Sequence, residues 1–310
     1  MVKRSLLPAI LALAVLSTCA CASNSFNITI GKETRDGLDQ LTFDNVASDT
    51  QYAVGSYKYT KVNGAWSSAN NPASPGLGYS DIHRKFDAMA LFFRPEIENA
   101  KFMIVTGMPC TGATASNIGY GGRQFGPGDL KIDVGSVNYG IGLREGGLYW
   151  GTVDPGPSQP WFRMHTAQGG IDAIGARDAG TLGTIEKNPQ WDHVDNHTMT
   201  PNSESAYAFF RADSGMLMPG TATVNCFDTT IALQGCSVWA YEVTVPWTSL
   251  GINPAHIAFR ASWRPDCGND LIAANFSGKC EIPVPSMPEA STLFLALSGL
   301  SAIGIVRRRR

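Results

Sequence analysis

Aromatic, oxygen-bearing and sulfur-bearing side chains are the three groups in this sequence whose types and spacing suit chemistry. The aromatic group is Trp150, Trp161 and Trp191, with Arg163 two positions beyond the second, all in or near Gly-, Pro- and Asn-rich stretches. Sugars present apolar C–H faces that stack on indole planes, while Arg, Asn and Asp bond hydroxyls, so these four residues are candidates for a saccharide platform. Trp66 lies in a similar setting, whereas Trp239, Trp247 and Trp263 fall in apolar strand patterns and read as core or edge packing. The competing reading of the loop tryptophans is that they cap a core beneath their own loops.

The oxygen group is Asp129 and Asp133, after the Gly126-Pro127-Gly128 turn, together with Asn269 and Asp270 at a strand end. Hard oxygens from separate loops suit a structural Ca2+, although capping a turn is the ordinary work of Asp and Asn. Trp191–His197 reads WDHVDNH, which sets His193, Asp195 and His197 at alternate positions, on one face if the segment is extended. No GxSxG, HExxH, phosphate-loop or dinucleotide glycine pattern is present, so catalysis is the minority expectation. A glycosidase would need two facing carboxyls, and the scattered Asp and Glu do not single out a pair.

The sulfur group is Cys110, Cys226, Cys236, Cys267 and Cys280, an odd set once Cys19 and Cys21 are assigned to a leader. Cys226 with Cys236 brackets a hairpin-sized segment, and Cys267 with Cys280 brackets a Gly-Asn-Asp turn. The simplest allocation makes those two bridges and leaves Cys110 over, with Cys110–Cys267 as the rival pairing.

The elements that must position these groups read as strands. Apolar or alternating runs cover Tyr52–Tyr59, Phe86–Phe93, Lys101–Gly107, Leu130–Val134, Tyr139–Leu143, Gly147–Val153, Ala206–Arg211, Thr221–Cys226, Thr229–Leu233, Val238–Val245 and His256–Trp263. Asn63-Gly64 marks a tight hairpin turn, because both residues tolerate positive φ. The stretch 154–203 shows little periodicity and is expected to form long loops. With no amphipathic helical stretch between strands, the prediction is an all-β fold, a β-sandwich of jelly-roll type with long loops, over residues 23–282.

Both termini carry address-like segments. Lys3 and Arg4 precede an apolar stretch from Leu6 to Leu16, and Ala20-Cys21-Ala22 fits the small-x-small rule of signal peptidase, so residues 1–22 read as a signal peptide. Leu16–Cys19 approximates a lipid-attachment box, with Thr18 a poor fit before the cysteine. Residues 283–310 comprise a Pro/Ser spacer, the run Leu293–Val306, and Arg307, Arg308, Arg309 and Arg310. That run is short of the roughly 20 apolar residues of an ordinary span, and the arginines favour a cytoplasmic end. Between these segments 18 basic residues face 25 acidic ones, a formal charge near −7. This disfavours nucleic acid and anionic membrane as partners.

Pro288, Glu289, the apolar run and the terminal arginines, in that order, resemble the PEP-CTERM sorting signal of Gram-negative bacteria, with Ala290 where that signal has its second proline. The resemblance implies recognition and cleavage by exosortase, transient inner-membrane anchoring, then delivery to the outer surface or extracellular matrix. FDAMALFF, KFMIVTG, GPGDLKIDVG and YEVTVPWTSLGI, spread between Phe86 and Ile272, are similar to core strands of DOMON-like domains and family-nine carbohydrate-binding modules. That likeness implies a β-sandwich, a structural Ca2+, and extracellular polysaccharide as a non-catalytic partner. Two other expectations stand beside it: a structural matrix protein without a specific ligand, and a divergent extracellular polysaccharide hydrolase.

Overall fold

The computed structural model describes residues 24–55, 59–68, 87–115, 123–143, 163–166, 171–173, 182–194, 208–210, 213–265 and 270–280. The two terminal address segments and the strand expected at Gly147–Val153 lie outside the described residues. Strands make up most of what is described, and α1 (Trp247–Leu250) is the one helix among the described residues.

The centre is a five-stranded sheet in the order β18 (Thr223–Leu233), β19 (Cys236–Pro246), β7 (Asn99–Thr106), β6 (Ala88–Pro95) and β3 (Gln51–Val54). Its strands alternate between two cores. Leu91, Phe93, Phe102, Ile104, Tyr241 and Val243 face one side, whereas Phe92, Met103, Val105, Val238 and Ala240 face the other. A strand buried on both faces has no polar positions to spare, which is why β6 and β7 read as unbroken apolar runs. A bulge between Ala88 and Ala90 resets the alternation at the start of β6.

The first core is closed by a six-stranded sheet in the order β17 (Met216–Leu217), β14 (Ile185–Lys187), β11 (Val137–Ile141), β10 (Leu130–Val134), β20 (Ile257–Trp263) and β21 (Ile272–Gly278). Its inward residues include Leu130, Ile132, Ile141, Ile185, Phe259 and Phe276. Phe93 sits among rings from both sheets, with centroids 5.4 Å from Phe102, 5.0 Å from Phe259 and 5.1 Å from Phe276. The single helical turn α1 (Trp247–Leu250) plugs one end, and Trp247 Nε1–H donates to Glu96 O at 2.7 Å.

The second core is closed by a sheet of β1 (Thr29–Arg35), β2 (Leu38–Asp44), β4 (Tyr59–Val62) and β5 (Ala65–Ser68), in that order. Leu41, Phe43 and Val62 point inward, and Phe43 meets Phe92 edge-on at 4.9 Å. β2 and β4 pair in parallel, while β1–β2 and β4–β5 are hairpins. Asn63-Gly64, with φ of 45° and 80°, forms the expected tight turn. Asp36-Gly37 and Gln234-Gly235 close two more hairpins with the same pair of positive φ values, the backbone that matches strand twist.

Among the described residues there are two smaller sheets. One has the order β13 (Ile171–Ala173), β12 (Arg163–Thr166), β15 (Trp191–Val194) and β16 (Phe209–Phe210); the other pairs β8 (Ala113–Ala115) with β9 (Arg123–Phe125). The expectation of long loops over 154–203 is therefore corrected, because β12, β13, β14 and β15 all fall there. These strands are only three or four residues long, too short for a period to register.

The cysteine pairing is also corrected. The bridge joins Cys110 to Cys226, with Cα atoms 5.8 Å apart, and Cys236 and Cys280 carry thiols. Cys267 lies outside the described residues. The hairpin register explains why Cys226 does not bridge Cys236. Cys226 faces Tyr241, five positions along β19 from Cys236. At about 3.4 Å per residue that separation is roughly 17 Å, well beyond the Cα distance of a disulfide.

Candidate functional site

Trp191 does not offer an open indole face. It starts β15, is 2 % exposed, donates from Nε1 to Asn138 Oδ1 at 2.9 Å and meets Phe210 edge-on at 5.8 Å. Phe210 in turn lies over Gly140 of β11, where a Cβ would stand 2.4 Å from the ring. Trp191 therefore works as a core residue, and the candidate platform loses it. Trp150 and Trp161 lie outside the described residues. Arg163 opens β12, where strand register sets His165 opposite His193 and Met164 opposite Val194. Asp195 and His197 lie outside the described residues.

Three of the four calcium candidates, Asp129, Asp133 and Asp270, lie among the described residues and make contacts with the protein's own donors. Asp129 is 1 % exposed, and its carboxylate accepts from Leu143 N at 3.1 Å and Phe210 N at 3.0 Å. Asp270 accepts from Ala88 N at 2.7 Å and Leu271 N at 2.9 Å. Asp133 pairs with Lys131 at 2.8 Å, with Arg260 at 4.0 Å on its other oxygen. Asn269 lies outside the described residues. Among the described residues no three His, Cys, Asp or Glu side chains are grouped to hold a metal. A buried carboxylate needs donors, and here backbone N–H groups supply them.

A buried acid that the sequence did not single out behaves likewise. Glu186 accepts from Asp213 N and Gly215 N, each at 2.7 Å, and so ties the 213–215 turn to β14. No local sequence signal marks it, because Thr184, Lys187 and Asn188 around it make the segment read as an ordinary polar stretch.

Two clefts open on the described surface. One, of about 790 Å3, is walled by Asp49, Glu96, Glu98, Lys279 and Cys280. Burial, then the charges of Glu96 and Asp49, push the Cys280 thiol pKa up, so the thiolate is disfavoured there. The other, of about 400 Å3, runs between Asn27–Ile30 and the bulged part of β18, Phe227–Ile231.

The outer face of the N-terminal sheet gathers aromatic and polar side chains that the sequence reading left scattered. Alternation along β1, β2, β4 and β5 puts Glu33, Arg35, Gln40, Thr42, Tyr59, Lys61 and Trp66 on one face. The Arg35 guanidinium lies 3.9 Å from the Tyr59 ring centroid and 4.8 Å from that of Trp66. Lys61 Nζ is 5.5 Å from the Trp66 ring and 2.5 Å from Glu33 Oε2. The Asn63-Gly64 turn was the available signal, since it folds Trp66 back beside Lys61.

No known protein family, curated protein or solved structure matches this chain.

Proposed function

We propose that this chain is an exported surface or matrix protein of a Gram-negative cell, sorted through its Pro288-Glu289 tail by exosortase, whose β-sandwich binds extracellular polysaccharide without altering it. The observation that carries the export reading is the Cys110–Cys226 bridge. Disulfides persist in oxidising compartments and are rare in the cytosol, which supports the leader-like segment at residues 1–22. Trp150, Trp161 and Arg163 remain the sequence-derived candidates for sugar contact. The burial of Trp191, and the use of Asp129 and Asp270 as loop anchors, favour a second reading in which the sandwich is a ligand-free matrix component.

Replacing Pro288 and Glu289 with Ala should leave export across the inner membrane intact while an uncleaved form accumulates there, as seen by fractionation and intact mass. An unchanged surface pool in that variant would remove the sorting reading. Affinity electrophoresis through a panel of polysaccharides separates the two readings of the body, because the matrix reading expects no retardation by any polymer.

A further inference from the structure

We propose that the outer face of the N-terminal sheet is a binding site for neutral polysaccharide, with Trp66 and Tyr59 as stacking planes, Arg35 as the hydroxyl donor and Gln40 as a recessed acceptor. This takes its ligand class from the function proposed above but sits elsewhere, on residues 29–44 and 59–68, ahead of the region that resembles carbohydrate-binding modules.

The first argument is the state of Gln40. It is 2 % exposed, and its Oε1 has no hydrogen-bond partner. A buried carbonyl oxygen left without a donor destabilises the fold, and such a group is expected where a ligand completes it. Gln40 faces Glu33 across the β1–β2 ladder and shares its side of the sheet with Lys61 and Trp66. Register thus sets the amide among the polar and aromatic side chains of this face, where we place it as the floor of the site.

The second argument is the geometry of Arg35. A guanidinium stacked face-on to an aromatic ring keeps its N–H edge available as a rigid donor fork. Its position over Tyr59 and Trp66 thus holds these donors beside both rings, whose faces turned away from Arg35 are the planes proposed for the sugar. The third argument is charge. Lys61 and Glu33 pair with each other and so bring opposite signs into one patch. A neutral polyol, which both donates and accepts, suits that mixture. A polyanion would meet a body of formal charge near −7.

The test uses the exported protein in affinity electrophoresis against neutral polymers (dextran, glucomannan, xylan) and one polyuronate, with thermal melts of every variant. Trp66→Ala and Arg35→Ala should each weaken retardation by roughly tenfold, the loss expected when a central aromatic or Arg contact is removed. Gln40→Met, of similar shape but without the amide, should raise Tm while weakening binding, an opposition that a merely structural glutamine does not produce. Trp66→Phe, which keeps a stacking plane, should retain most of the affinity and guards against a fold defect in the alanine variant. If wild type binds, and Trp66→Ala, Arg35→Ala and Gln40→Met bind as wild type does while Trp150→Ala or Trp161→Ala does not, this site is wrong and polysaccharide binding stands. If only the polyuronate binds, the assignment of a neutral ligand is wrong. Should wild type pass every polymer unretarded, this site and the polysaccharide reading fall together.

Discussion

At the scale of single residues, the carboxylates divide by what they hold, and burial decides the division. Asp129 and Asp270 stand in sequence where a calcium site would draw ligands, yet each spends both oxygens on backbone N–H groups from distant or adjacent segments. Ca2+ takes six to eight oxygens from several residues, and carboxylates already bonded in this way are poor contributors to such a shell. Two outcomes follow. EDTA or added Ca2+ should leave Tm within about 1 °C of its starting value, since an effector that binds neither state shifts neither. Asp129→Ala should cost about 2–4 kcal/mol in urea melts, because Leu143 N and Phe210 N would both be buried without an acceptor. A large calcium-dependent rise in Tm would restore the metal reading and displace this one. The sequence could not distinguish the alternatives, because three of the four donors named come from positions 88, 143 and 210, which no local spacing relates to the acids.

At the scale of elements, the parts legible in the sequence are those whose signal is local. The β6 and β7 runs, Asn63-Gly64 and the long apolar β19 all appear where their residues require. The N-terminal hairpin β1–β2 was not anticipated, although Asp36-Gly37 marks its turn. Its strands carry Lys32, Glu33 and Arg35, which are tolerable because β1 is an edge strand with one face in solvent. β18 reads as two strands because a bulge between Asp228 and Ala232 interrupts its pattern. Thr230 sits in that bulge at φ 63°, a conformation β-branched residues rarely adopt. Trp191 was misread because its cover comes from another element. Phe210 of β16 can cover it only since Gly140 of β11 leaves room for the ring. Gly140→Ala should therefore destabilise by about 1–3 kcal/mol through overpacking, with a changed near-UV aromatic spectrum as Phe210 and Trp191 shift. Phe210→Leu, introduced together with it, should recover part of the loss. An alanine at 140 that leaves both stability and spectrum untouched would show that β11 and β16 do not meet so closely.

At the scale of the whole molecule, the sandwich is held at its centre by apolar burial, with the disulfide closing a long loop of chain. The loop after β7 is tied down twice, to β18 through Cys110–Cys226 and to β19 through Tyr241. The Tyr241 hydroxyl donates toward Pro109 O at 2.8 Å and Met108 O at 3.1 Å, and Tyr241 is the ladder partner of Cys226. The bridge spans 116 residues. Closing so long a loop removes much of the unfolded chain's freedom, and the chain-entropy account puts this near 4–5 kcal/mol, with measured values more often about 2–4. Against a total stability of about 5–15 kcal/mol that is a large share. Cys110→Ala with Cys226→Ala should therefore lower the urea midpoint strongly, and wild type in reductant should melt with the double variant. Cys236→Ala leaves the bridge intact, so its melt should still respond to reductant as wild type does. On the export route proposed above the bridge would form after translocation, so protein retained in a reducing cytoplasm should accumulate in the less stable form and be lost to proteolysis sooner than exported protein. Non-reducing peptide mapping settles the premise: a Cys110–Cys226 peptide is expected, and a Cys226–Cys236 peptide in its place would overturn both the pairing and the stability order derived from it.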